Sequence, residues 1–112
     1  MIHEMKLQDV YFKKIANKEK IYEIRLNDEK RQLIKVHDTI LFKSMVSGES
    51  INVKVVDLIH FKSFEEMANT LPATEIGFND FTKSAIVDTY HEFYTAQDEV
   101  RYGVLAIKVD LQ

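Results

Sequence analysis

Lys18-Glu19-Lys20-Ile21-Tyr22-Glu23-Ile24-Arg25-Leu26 is the stretch on which the reading of the fold turns. From Lys20 onward it reads as a β-strand, with side chains falling on alternate faces. A strand over 20–26 puts Glu23 and Arg25 on one face and Tyr22, Ile24 and Leu26 on the other. Strict alternation also puts Lys20 opposite Glu23, so a site that joins all three requires an irregular strand start. A carboxylate between two cations orients them and keeps them charged. An arginine aimed into a cleft suits bidentate phosphate binding, and a lysine beside a second cation loses its proton more readily and can act as a base or nucleophile. On spacing alone the plainer alternative is favoured: an ion network on a sheet surface, worth on the order of 1 kcal/mol or less per pair.

Outward from this strand, the pattern alternates irregularly between strand and helix. Ile2–Leu7 reads as a first strand. Asp9 offers an N-cap, and Tyr11, Phe12, Ile15 and Ala16 recur at helical spacing, predicting a helix over 9–17. Residues 27–32 form a charged turn or a single helical turn. Strands follow over Thr39–Lys43 and Ile51–Phe61. In the second of these Ile51, Val53, Val55, Ile59 and Phe61 share one face, interrupted by Asp57. Ser47-Gly48-Glu49-Ser50 reads as the hairpin turn between them. Ser63-Phe64-Glu65-Glu66 is a capping box that starts a helix through about Leu71. Asn79 or Asp80 opens another, with a face of Phe81, Ala85, Ile86, Thr89, Tyr90 and Phe93. The final strand, Val104–Leu111, carries Leu105, Ile107, Val109 and Leu111 on one face. Such an order does not suit a doubly wound parallel sheet. It predicts an α+β fold: a curled, mostly antiparallel sheet with flanking helices.

The chain has 112 residues, 46% of them hydrophobic, enough for one domain spanning 1–112 with a real core. It has no cysteine, which excludes disulfides and cysteine zinc sites. Neither a signal-peptide run nor a membrane-length apolar segment is present, so the expected setting is the cytoplasm, without membrane contact. The net charge of −3 is unevenly spread: residues 1–43 carry +3 and residues 44–112 carry −6. That asymmetry allows a positive cleft on an acidic body, although solvated surface charge accounts for it equally well. His3, His37, His60 and His91 are scattered without metal-site spacing. Gly48, Gly77 and Gly103 lie too far apart for a phosphate loop. No metal or cofactor is implied.

Lys20-x-x-Glu23-x-Arg25 resembles the Lys-x-x-Glu-x-Arg signature of the ASCH family, a branch of the PUA-like superfamily. The resemblance runs the whole length. It includes His3-Glu4-Met5-Lys6-Leu7, Arg25-Leu26-Asn27-Asp28-Glu29-Lys30-Arg31, Val36-His37-Asp38-Thr39-Ile40 and Tyr102-Gly103-Val104-Leu105-Ala106-Ile107. It implies a stand-alone domain of bacterial type, folded as a small PUA-like β-barrel. Two family glycines are replaced, by Lys18 and by His37. Asn17 is expected to take over the first role, and His37 to adopt the left-handed backbone itself.

The resemblance further implies binding of RNA or of a modified nucleotide or nucleoside in a cleft beside the signature strand. Lys6, Lys20, Glu23, Arg25 and Arg31 are the expected contacts. Tyr22, Tyr90, Phe93 and Tyr94 are candidates for stacking, with core packing as the commoner role. The alternative is a small hydrolase, a ribonuclease or an enzyme acting on an acylated nucleoside, with Lys20 and Glu23 as catalytic residues. One subgroup of the family deacylates N4-acetylcytidine with a lysine, a threonine and a glutamate. Lys20 matches the lysine, Glu23 stands at the threonine position, and Glu75 and Glu92 are candidates for the acid. A third possibility is a protein-interaction module that uses the acidic C-terminal two-thirds.

Overall fold

The computed structural model describes residues 1–112. The chain opens with β1 (Ile2–Leu7), α1 (Asp9–Ala16) and β2 (Tyr22–Leu26). A 3-10 turn at Arg31–Leu33 leads into β3 (Thr39–Ser44) and β4 (Ser50–Phe61). Then come α2 (Phe64–Thr70), a second 3-10 turn (Ala73–Ile76), α3 (Lys83–His91), α4 (Ala96–Tyr102) and β5 (Val104–Leu111). No helix is long and apolar enough to cross a membrane.

The strands form one sheet in the order β1-β3-β4-β5-β2. β1 runs parallel to β3, and every other pair is antiparallel. A parallel pair needs a crossover connection. Here α1 and β2 supply it, and β2 lands on the far edge of the sheet. The eight residues of α1 span only about 12 Å at 1.5 Å per residue. The two edges must therefore approach each other, and the sheet curls into a half-barrel. Phe12 and Ile15 of α1 fill the hollow against Met5, Leu7, Phe42 and Ile107. A second core lies on the opposite face, where Tyr22, Ile24 and Leu26 meet Phe64, Met67 and Ile86 of the covering helices. β5 serves both cores by alternation: Leu105, Ile107 and Val109 point into the hollow, Val104 and Ala106 away from it.

β4 corrects the single stripe expected for residues 51–61. Val55 pairs with Val109 and Asp57 with Lys108, leaving Val56 as an extra residue. One inserted residue reverses which face each later side chain occupies. Val53 and Val55 belong to the hollow, whereas Ile59 and Phe61 pack in the second core. Leu58 returns to the hollow.

Several element boundaries also differ from expectation. Gln8, not Asp9, holds the N-cap position of α1. Asp9 is freed to accept the Ser44 hydroxyl at 2.8 Å, tying α1 to the end of β3. Ser63 caps α2 as expected, accepting from the Glu66 amide. α3 starts later than expected: Thr82 is its cap, while Asp80 turns with φ 57°. Phe81 is thereby left outside the helix, and Ile86 is the one buried residue of α3. α4 was not expected; Thr95 caps it by accepting from the Asp98 amide.

At the replaced glycines, Lys18 itself turns left-handed with φ 69°, as does His37 with φ 80°. Asn17 keeps φ −96° and does not take over the role expected of it. Both left-handed residues are exposed, so their side chains gain little packing to offset the backbone cost. Lys18→Gly and His37→Gly should each raise stability by ~0.5–1 kcal/mol, additively, in urea unfolding.

The parallel seam has an electrostatic tie at its start. Asp38 accepts from the Lys35 amide at 3.0 Å and bonds His3 Nε2 at 2.8 Å. These contacts, the His3 bond foremost, hold its pKa at about 2, below the usual 3.8. A depressed carboxylate contributes stability that is complete above its unfolded pKa and is lost as pH falls through its folded one. Asp38→Asn should therefore show a smaller fall in urea midpoint than the wild type between pH 5 and about pH 2.

Candidate functional site

The link between α1 and β2 builds the site. After the left-handed Lys18, the amides of Glu19 and Lys20 both donate to the Lys14 carbonyl, at 2.9 and 3.0 Å. The Ile21 amide donates to the Glu75 carbonyl at 2.8 Å. The chain thus enters β2 through a turn, and β2 starts at Tyr22 rather than Lys20. This irregular start brings Lys20 to the same side as Glu23. The Lys20 ammonium donates to the carbonyls of Tyr22 and of Ile76, the latter at 2.9 Å. Its Nζ lies 3.3 Å from Glu23 Oε1. Three acceptors surround a group with three N–H bonds, although Lys20 is only 3% exposed.

Gly77 makes room for this lysine. Its φ is +101°, and a Cβ there would meet Lys20 Cδ at 3.0 Å and Tyr11 Cδ1 at 3.1 Å. Arg25 completes the network from the next inward position of β2. Its Nε donates to Glu23 Oε2 at 2.7 Å, and its Nη2 donates to the Lys6 carbonyl at 3.0 Å. That second bond joins β2 to β1, the two sheet edges that do not pair. A side chain closes the half-barrel where a strand ladder is missing.

Burial pulls the Glu23 carboxyl upward, but Lys20 and Arg25 outweigh it and hold its pKa below the usual range. Burial lowers the Lys20 pKa, opposed by Glu23. The Glu23 carboxylate, 3.3 Å from Nζ, favours the ammonium form. The Arg25 guanidinium stays charged.

Above this network lies a cleft of about 220 Å³. Lys6, Leu7, Gln8 and Tyr11 form one wall, from the end of β1 and the start of α1. Phe78, Thr89, Tyr90, Phe93 and Tyr94 form the other. Lys20, Glu23 and Arg25 lie at the base, and Met45 also lines the space. Burial, then Glu23, raises the phenol pKa values of Tyr11 and Tyr90. Burial likewise raises that of Tyr94. Their hydroxyls remain protonated donors at neutral pH.

Four of the five predicted contacts, Lys6, Lys20, Glu23 and Arg25, meet in this cleft. Arg31 does not; it faces an adjoining groove, with Nη1 3.5 Å from Asp28. Of the aromatic candidates, Tyr90, Phe93 and Tyr94 line the cleft, whereas Tyr22 packs in the second core. Glu75 and Glu92 are absent from the lining, and Glu23 is its one carboxylate. Sequence reading missed the cleft role of Tyr11, which it grouped with the core. A signal existed: Tyr11 and Phe12 are adjacent on a helix and cannot face the same way.

A curled mixed sheet with four helices, carrying this buried triad at its seam, defines a small PUA-like half-barrel. The model of the ASCH domain matches residues 5–112, and the chain belongs to the ASCH domain family. It is similar to a crystal structure described as hypothetical protein PH0355, with 34% identity, TM-score 0.90 and coverage of 100% of both chains. It is also similar to the solution structure of protein PF0455 from Pyrococcus furiosus, with 32% identity, TM-score 0.81 and coverage of 99% of this chain and 97% of that one. No curated protein matches the chain.

Removing one partner of a buried pair leaves the other charge uncompensated. Glu23→Gln should cost about 3 kcal/mol or more in urea unfolding, whereas Lys13→Ala, which breaks the exposed Asp9 pair, should cost under ~0.5 kcal/mol. The Glu23 contribution should be complete above pH 4.5 and lost as pH falls through its lowered folded pKa.

Proposed function

We propose that this protein binds RNA, or a modified nucleotide, by holding one base in the cleft beside β2. The observation that carries the reading is the composition of the cleft: three cations and one ionised carboxylate against an aromatic wall. Its volume of about 220 Å³ falls below the ~300–1,000 Å³ of sites for drug-sized ligands. That suits a single base or nucleoside. Membership of the ASCH family, which is associated with RNA binding, supports the same reading.

In this reading the exposed Lys6 ammonium and the outer edge of the Arg25 guanidinium meet phosphate or a base edge. Glu23 keeps lone pairs beyond its two ionic contacts and accepts from a base amino group. Phe93, 61% exposed at the mouth, offers a stacking face together with Tyr90 and Tyr94. Arg31 extends the positive rim. A hydrolase finds less support. Lys20 is buried, with Nζ hydrogen-bonded to two backbone carbonyls and paired with Glu23, and no second acid lines the cleft.

The test is a titration of single-stranded RNA and of modified nucleosides against Lys6→Ala, Arg25→Gln and Phe93→Ala, with melting curves for each variant. Loss of a base–aromatic stack costs ~1–3 kcal/mol, so Phe93→Ala should weaken binding at least fivefold without changing the melting temperature. Overnight incubation with N4-acetylcytidine should release no acetate. Wild-type affinity in all three variants would overturn the reading, and acetate release abolished by Lys20→Ala would replace it with the hydrolase.

A further inference from the structure

Outside the cleft, a groove of about 580 Å³ runs over the outer face of β1 and β3. Its charged lining consists of Lys6, Arg25, Lys30, Arg31 and Lys43 against a single acid, Glu4. The chain as a whole is acidic, with net charge −3, so a general excess of basic residues does not explain this concentration. Lys6 and Arg25 line both spaces, so the groove adjoins the cleft.

The sheet register makes the concentration unfavourable to the fold itself. Lys6 and Lys43 are direct partners across β1 and β3, and both are exposed. Like charges directly opposite in a sheet are destabilising. The next strand offers no relief, because Lys43 faces Ser50. Lys30 joins them from the connection between β2 and β3. None of Lys6, Lys30 and Lys43 belongs to an ion pair of the protein. Arg31 is also incompletely used: its Nε is buried without a hydrogen-bond partner, and its charge has one loose contact, with Asp28 at 3.5 Å. Folding alone gives Lys6, Lys30 and Lys43 no ion-pair partner. A string of phosphates would.

We propose that the groove is a track for the phosphodiester backbone of a single strand of nucleic acid whose base occupies the cleft. This rests on the cleft reading given above and specifies its ligand as a strand, not a free nucleoside. Lys43 and Lys30 act as phosphate contacts outside the cleft, and Lys6 stands at the junction of the two spaces.

The test compares the four ribonucleosides, followed by NMR shift titration, with a mixed-sequence RNA pentamer and its DNA counterpart, followed by fluorescence anisotropy at two salt concentrations. The protein variants are Lys30→Ala/Lys43→Ala and Lys43→Glu. Both positions are exposed, and melting curves verify folding. The RNA pentamer should bind at least tenfold tighter than any nucleoside. The double variant should weaken pentamer binding about tenfold and flatten the log–log salt slope by about 1.4, for two released charges on a single strand. Its nucleoside affinity should be unchanged. A DNA pentamer as tight as the RNA one supports a contact made through phosphates alone; a weaker one adds a sugar contact to the same track. Pentamer and nucleoside affinities that are equal, or a double variant identical to wild type on the pentamer, would overturn the track and leave the cleft reading standing. Pentamer binding that needs Lys30 and Lys43, without any nucleoside binding, would support the track and overturn the cleft reading. Absence of all binding would overturn both.

Discussion

The fold closes around one buried ammonium group. Lys20 reaches from the link before β2 to the Ile76 carbonyl, in the turn that ends at Gly77, and to the Tyr22 carbonyl and Glu23 of its own strand. Two segments far apart in sequence are thereby fixed with respect to one another. Glu23 passes the constraint to Arg25, and Arg25 passes it to the backbone of β1. An isolated buried ion pair adds little net stability compared with an apolar replacement. What this one specifies is geometry: each donor and acceptor has a partner in one arrangement, and any displacement strands a charge in the core. The position of the cleft follows from that arrangement, because its base is the same set of side chains.

The parts legible in the sequence are those governed by local periodicity. β1, β3, β5 and the Ser63 cap of α2 followed from alternation and capping chemistry, and so did the curled, mostly antiparallel sheet. Lys20, Glu23 and Arg25 were identifiable as a charged cluster, with Glu23 and Arg25 on one face, but strict alternation set Lys20 on the other. Their convergence depends on the left-handed Lys18 and on the Ile21 bond to Glu75. Neither leaves a mark in a spacing pattern. Tyr11 was grouped with the core because helical spacing marks one apolar face; its adjacency to Phe12 shows that the two rings diverge, and the tertiary arrangement sets which of them meets the cleft. α4 was overlooked even though Thr95 and Asp98 stand at capping distance, because its sequence carries no apolar stripe and Glu99 is its one buried residue.

Glu99 illustrates how the helical layer is held to the sheet. Its carboxylate accepts the first amide of α2 at 2.7 Å and bonds His91 at the end of α3 at 2.8 Å. Three short helices thus share one carboxylate. None of them has the length to be stable alone, so the layer depends on this tie and on the ring packing of Phe64 against Tyr90 and Tyr94, with centroids 4.8 and 5.5 Å apart. The same two tyrosines form part of the cleft wall, so the rigidity of the helical layer is also that of the wall.

The bulge at Val56 gives β4 a point of slack in chain length. Val55 and Asp57 already face consecutive partners, Val109 and Lys108. Removal of Val56, whose side chain is 39% exposed, would join them into a regular strand, with Leu58 still in the hollow and Ile59 and Phe61 still against the helices. Keeping the residue without the bulge is the costly alternative, because it would exchange the contents of two cores in one step. A lineage carrying this fold can therefore lose a residue at this point while the pairing on either side of it is retained.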